Sequence, residues 1–178
     1  MKNLIKRLTV FIILSLFIAS CGSRGPVGPE GPPGAPGPEI LPTAFEFNAT
    51  LMPANSYEFF ESIPAQIDMF ESDVMLAFIL EDYIPEDDLE VWRKLPITEF
   101  NSRGTLLIDY DFTLIDVRIF LDANYNLNIT DGLEDVLIRA VHIPANFASK
   151  MANGRSFKDA ETFEELEAML GRSIEVTK

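Results

Sequence analysis

TLLIDYDFTLIDVRIFLD, residues 105–122, alternates in polarity twice over. Ile108, Tyr110 and Phe112 interleave with Asp109, Asp111 and Thr113, and Val117, Ile119 and Leu121 follow with the same period. A period of two sends alternate side chains to opposite faces, so both halves read as strands with one apolar face. Working outward, AFEFNATL alternates Phe45, Phe47, Ala49 and Leu51 with polar neighbours, and SYEFFE is rich in aromatics. DVMLAFILEDY is a long apolar strand with Val74, Leu76, Phe78 and Leu80 on one side. EVWRKLPITEF carries Trp92, and Pro96 marks an edge or a bend because proline cannot donate to a ladder. DVLIRAVHIPA closes the series with Val136, Ile138 and the run to Ile143. Seven or so strands, joined by loops rich in Asn, Asp, Ser and Pro, predict a mainly β fold: an antiparallel β-sandwich of about seven strands.

The tail changes period. In DAETFEELEAMLG, Phe163, Leu166, Met169 and Leu170 share one side of a helix expected over 162–170. Thr162 with Glu165 fits a capping box, and Gly171 fits the stop. A second short helix is expected around 145–152.

The chain has 178 residues and a formal net charge of −14. That balance argues against nucleic acid and against adhesion to anionic lipid heads, and suits a solvated surface domain.

The N-terminus has its own grammar. Lys2, Lys6 and Arg7 precede an apolar run, Val10 to Ile18, that is shorter than the ~20 residues of a membrane-spanning helix and ends in small residues. This reads as an export signal over 1–20. From Gly22 the chain runs GSR GPV GPE GPP GAP GPE, so six of its ten glycines fall in strict period three. Such a segment is either one strand of a collagen-like homotrimer or a single semi-rigid polyproline-II spacer. Extended at ~3.1 Å per residue, the spacer reaches on the order of 50 Å. The expected organisation is a signal peptide at 1–20, a lipidated cysteine plus collagen-like linker at 21–42, and a β-sandwich with a C-terminal helix at 43–178.

Ile18-Ala19-Ser20-Cys21 resembles the lipobox of bacterial lipoproteins. The resemblance implies that the Cys21 thiol receives a diacylglycerol, that the signal is cut before it, and that the new N-terminus takes a further acyl chain such as palmitate. Each buried CH₂ adds about 0.8 kcal/mol, so two or three chains hold a protein on a bilayer where one does not. It implies an envelope location, and the outer membrane in a Gram-negative cell, because Gly22 rather than aspartate follows the cysteine. VWRKLP, DYDFTLIDVRIFLDANYN and IRAVHIPA, with the lipobox and the short G-P-x tether, resemble uncharacterised collagen-like lipoproteins of Bacteroidota-type bacteria. That likeness spans 21 to about 147, leaves out the C-terminal helix, and implies an architecture rather than a chemistry.

Catalytic motifs are sparse. His142 is the sole histidine, which excludes the two-histidine zinc motif, and it reads as a structural residue at a strand end. With one cysteine no redox pair exists. The acids Glu81, Asp82, Glu86, Asp87, Asp88 and Glu90 bracket Pro85 and read as a solvated connection. DANYNLNITDG places Asp122, Asn124, Asn126 and Asn128 at alternate positions, with Asp131 behind, as a calcium loop collects oxygen ligands. Leu127 stands where such a loop needs glycine and Leu133 where it needs glutamate, so a polar loop whose Asx side chains satisfy their own backbone is the competing reading. Trp92 reads as core rather than as a sugar platform. The functional expectation is a membrane-anchored envelope lipoprotein with a non-catalytic binding or scaffolding ectodomain, directed at an extracytoplasmic protein or glycan and needing no cofactor. The alternatives are a carbohydrate-active envelope enzyme using paired carboxylates, or a calcium-dependent adhesion module.

Overall fold

The computed structural model describes residues 41–148, 151–152 and 155–177. The signal peptide expected at 1–20, the lipidation expected at Cys21 and the collagen-like linker expected at 22–39 fall outside the described residues. In chain order the strands are β1 (Thr43–Leu51), β2 (Glu58–Ser62), β3 (Val74–Ile84), β4 (Leu89–Lys94), β5 (Ile97–Asn101), β6 (Gly104–Phe112), β7 (Asp116–Ala123), β8 (Leu133–Ile143), a two-residue pair β9 (Met151–Ala152) and β10 (Arg155–Ser156), and β11 (Glu175–Thr177). The helices are α1 (Ala145–Ala148) and α2 (Phe163–Leu170).

The fold is mainly β. One sheet has the order β11-β1-β8-β3-β4, and the other β2-β7-β6-β5. Every pairing is antiparallel except β1 with β11, which makes the first sheet mixed. The expectation of about seven antiparallel strands is corrected: the two large sheets hold nine strands, and the short β9–β10 pair adds two more. EVWRKLPITEF is two strands: at the cis Leu95–Pro96 bond the chain leaves the edge of one sheet as β4 and enters the edge of the other as β5. The other strand added to the large sheets is β11, too short to show a period.

One apolar cluster draws on both sheets: Phe45, Phe47, Ala49 and Leu51 of β1, Met75, Ala77 and Ile79 of β3, Ile138 and Ala140 of β8, against Leu106 and Ile108 of β6 and Val117, Ile119 and Leu121 of β7. A second cluster lies on the other side of the five-stranded sheet. There Leu76, Phe78, Trp92, Val141 and Ile143 meet Phe157, Ala160, Phe163, Leu166 and Ile174 of the tail. This explains two sequence signatures at once. β3 reads as an unbroken apolar run because it is covered on both faces, whereas β6 and β7 alternate because their sheet has one face in solvent.

Helix α2 begins where expected. Thr162 Oγ1 accepts from Glu165 N at 3.1 Å, and Gly171 ends the helix in the left-handed region at φ 68°. The reciprocal arm is displaced by one residue: the Glu165 carboxylate accepts from Glu161 N at 2.8 Å. The helix expected around 145–152 is four residues, and Met151–Ala152 is extended.

Candidate functional site

The oxygen-rich loop divides between two sides of its strand. Asp122, next to last in β7, lies on the outer face, where its Oδ1 accepts from Ala123 N at 2.8 Å. Asn124 Oδ1 accepts from Thr105 N at 2.9 Å. Gly104, at φ +146°, permits that contact: a Cβ there would lie 2.1 Å from Asn124 Oδ1. Asn126 is exposed. Asn128 caps a 3₁₀ turn, Ile129–Asp131, and its Oδ1 accepts from Thr130 N at 2.9 Å. Asp131 is buried beneath the loop, accepting from Asn128 N at 2.8 Å, from Tyr125 OH at 3.2 Å and from the Arg103 guanidinium. Arg103 also lies 4.5 Å over the Tyr125 ring. The structure therefore brings Asn128 and Asp131 together and leaves Asp122 and Asn124 engaged elsewhere. Among the described residues no three His, Cys, Asp or Glu side chains gather as a metal would require. The loop and the β5–β6 hairpin border an open polar depression of about 400 Å³, lined by Glu99, Asn101, Arg103, Thr130 and Asp131.

His142 is buried, and its Nε2–H donates to Asp73 Oδ2 at 2.8 Å. Asp73 also accepts from Ala145 N at 2.9 Å and Phe70 N at 3.1 Å, so the pair ties the loop before β3 to the end of β8. Burial alone raises the Asp73 pKa, but the bonds from His142, Ala145 and Phe70 outweigh it and hold the carboxyl below its ordinary range.

Trp92 is core. Its Nε1 donates to Glu90 Oε2 at 2.9 Å, and the Arg139 guanidinium lies 3.9 Å over its ring and 4.4 Å over that of Phe163. Arg139 is itself buried, paired with Glu46 at 2.6 Å and Glu90 at 3.1 Å. Tyr110 OH donates to Met75 O at 3.0 Å, and burial pushes its pKa up to about 12. Of the acids around Pro85, Glu86, Asp87 and Asp88 lie in the exposed β3–β4 turn, whereas Glu81 and Asp82 stand on β3 and Glu90 on β4, so the expected connection is shorter than the acidic run.

What the sequence reading missed lies on the outer face of the four-stranded sheet. Register fixes it. Phe60 of β2 is opposite Arg118 of β7, Phe120 is opposite Asp109 of β6, Leu107 is opposite Asp122 and also opposite Thr98 of β5, and Phe100 is opposite Thr105. Phe60, Phe120, Leu107 and Phe100 therefore advance one row per strand and form a diagonal stripe across all four strands. Diagonal neighbours are about 7–8 Å apart, so the stripe runs roughly 20–25 Å. Phe60 is 57% exposed and Phe100 84%. Arg118 lies 4.7 Å from the Phe120 ring and 6.0 Å from that of Phe60, and bonds Asp111 and Glu58. The signal was present in the outward positions of SYEFFE, EVWRKLPITEF and DVRIFLD, but only the register aligns them.

No family model, curated protein or solved structure matches this chain.

Proposed function

We propose that this chain is a lipid-anchored envelope protein whose domain is a β-sandwich backed by a C-terminal helical layer and works by binding rather than catalysis. The lipobox at 18–21, the basic and apolar leader before it and the G-X-Y tether after it support the anchoring. The observation that carries the binding reading is the diagonal stripe. A fully buried Phe side chain stabilises a fold by about 1.5–3 kcal/mol, and Phe60 and Phe100 forgo most of that by facing solvent. Exposed aromatic rows of this kind mark contact surfaces. They stand on a sheet whose inner face is packed, so the surface is rigid before any partner arrives. Tethering confines it to a thin shell above the bilayer and raises its effective concentration there.

The test is photo-crosslinking in living cells, with a photoreactive phenylalanine analogue at position 60 or 100 of the full chain. Discrete adducts from both positions, absent when the analogue replaces exposed Leu89 on β4, are expected. No adduct at either position, or the same adducts from position 89, would remove the stripe as a binding face.

A further inference from the structure

The geometry points to a partner class for this face: an extended, cationic polypeptide segment that alternates Lys or Arg with apolar residues. The inference rests on the binding role proposed above and deepens it.

The charge pattern carries it. Glu58, Asp109, Asp111 and Asp122 share the outer face with the stripe: Val117, Ile119 and Leu121 face inward, so Arg118, Phe120 and Asp122 between and beyond them face out, and Asp111, Asp109 and Glu58 lie opposite Arg118 and Phe120 in register. Arg118 is the one cation among them, and it shows how the face accepts one. Its guanidinium lies over Phe120 and beside Phe60, and is held by Asp111 and Glu58. Aromatic faces attract cations, and flanking carboxylates hold the donors.

The other half of the stripe repeats this arrangement without its cation. Asp109 and Asp122 flank Phe120 and Leu107 on opposite corners of a two-by-two block, with Phe100 beyond. Each of these carboxylates accepts from the backbone N–H of the next residue, Tyr110 and Ala123, at 2.8 Å, and neither is in an ion pair with a described residue. A guanidinium or ammonium set there completes the pattern. A second copy of this chain, at net charge −14, would bring like charge to the same place. A strand rises about 3.3 Å per residue, so six or seven extended residues span the stripe.

The test uses the full chain in non-ionic detergent, titrated by calorimetry with four probes: an alternating arginine–tryptophan hexapeptide, its glutamate–tryptophan counterpart, hexalysine and maltohexaose. The arginine–tryptophan peptide is expected to bind more tightly than any other probe, and to weaken as salt rises. Asp109→Asn with Asp122→Asn should weaken it roughly fivefold, and Phe60→Ala or Phe100→Ala about tenfold each. Leu89→Ala should leave binding unchanged. Preferential binding of the acidic peptide or the oligosaccharide, lost in Phe100→Ala, would refute the cationic class while keeping the face. Binding of no probe, or binding unchanged by Phe60→Ala and Phe100→Ala, would refute the face itself.

Discussion

Arg139→Met removes the charge that organises the layer between the five-stranded sheet and α2. The guanidinium side chain is 10% exposed and its partner Glu46 is 9% exposed, whereas Glu90 is 46% exposed and solvated. Methionine fills the space of the arginine stem but leaves the Glu46 carboxylate buried without a cation. Breaking a buried pair from one side costs about 3–5 kcal/mol, and the lost stacking on Trp92 and Phe163 belongs within that figure. A domain of this size is stable by roughly 5–15 kcal/mol, so the loss is a large share. With a urea slope near 2 kcal/mol/M, the unfolding midpoint should fall by roughly 2 M. Trp92, the only tryptophan, reports from within the cluster by fluorescence. Adding Glu46→Leu to Arg139→Met removes both charges and should recover most of the loss, because an apolar replacement of a buried pair is close to neutral. A loss below about 1 kcal/mol in Arg139→Met, or a double variant as unstable as the sum of its singles, would refute the reasoning.

Three further outcomes follow from the same structure. Leu166 is fully buried against the outer face of the five-stranded sheet, so Leu166→Ala should cost about 2–5 kcal/mol by denaturant titration while exposed Glu164→Ala costs almost nothing. The Asp73 carboxyl is lowered from its ordinary value of 3.8, so the stability it contributes is complete above that pH and is lost as pH falls through the lower folded value; between pH 5 and 3, Asp73→Asn should lose less stability than the parent chain. Because Asn124, Asn128 and Asp131 already accept from protein donors, millimolar calcium should leave the melting temperature unchanged; a rise abolished by Asp122→Ala would restore the calcium reading of the loop.

The strands of this fold were legible where one face meets water. β6 and β7 announce themselves by alternation, and α2 by its cap, its period and its terminal glycine. β3 was legible as a strand, but its run of apolar residues hid that two layers cover it. β4 and β5 read as one element: Pro96 announced an edge or a bend, but nothing local says that the chain changes sheets there. At the candidate site, Asp122, Asn128 and Asp131 accept from backbone N–H groups within three residues, as Asx chemistry does locally, but Asn124 reaches Thr105 N, 19 positions away. Arg103 with Asp131, His142 with Asp73, and Arg139 with Glu46 were not legible, since 28, 69 and 93 positions separate them in sequence. The stripe is the same case at the level of a sheet: four residues from four strands, none unusual alone, aligned only by the register.

Intact-mass measurement on native protein purified from membranes tests the anchoring most directly. The account predicts a chain that begins at Cys21 and carries the added mass of roughly two or three acyl chains. A chain that retains residues 1–20 and shows no acyl adduct would contradict it.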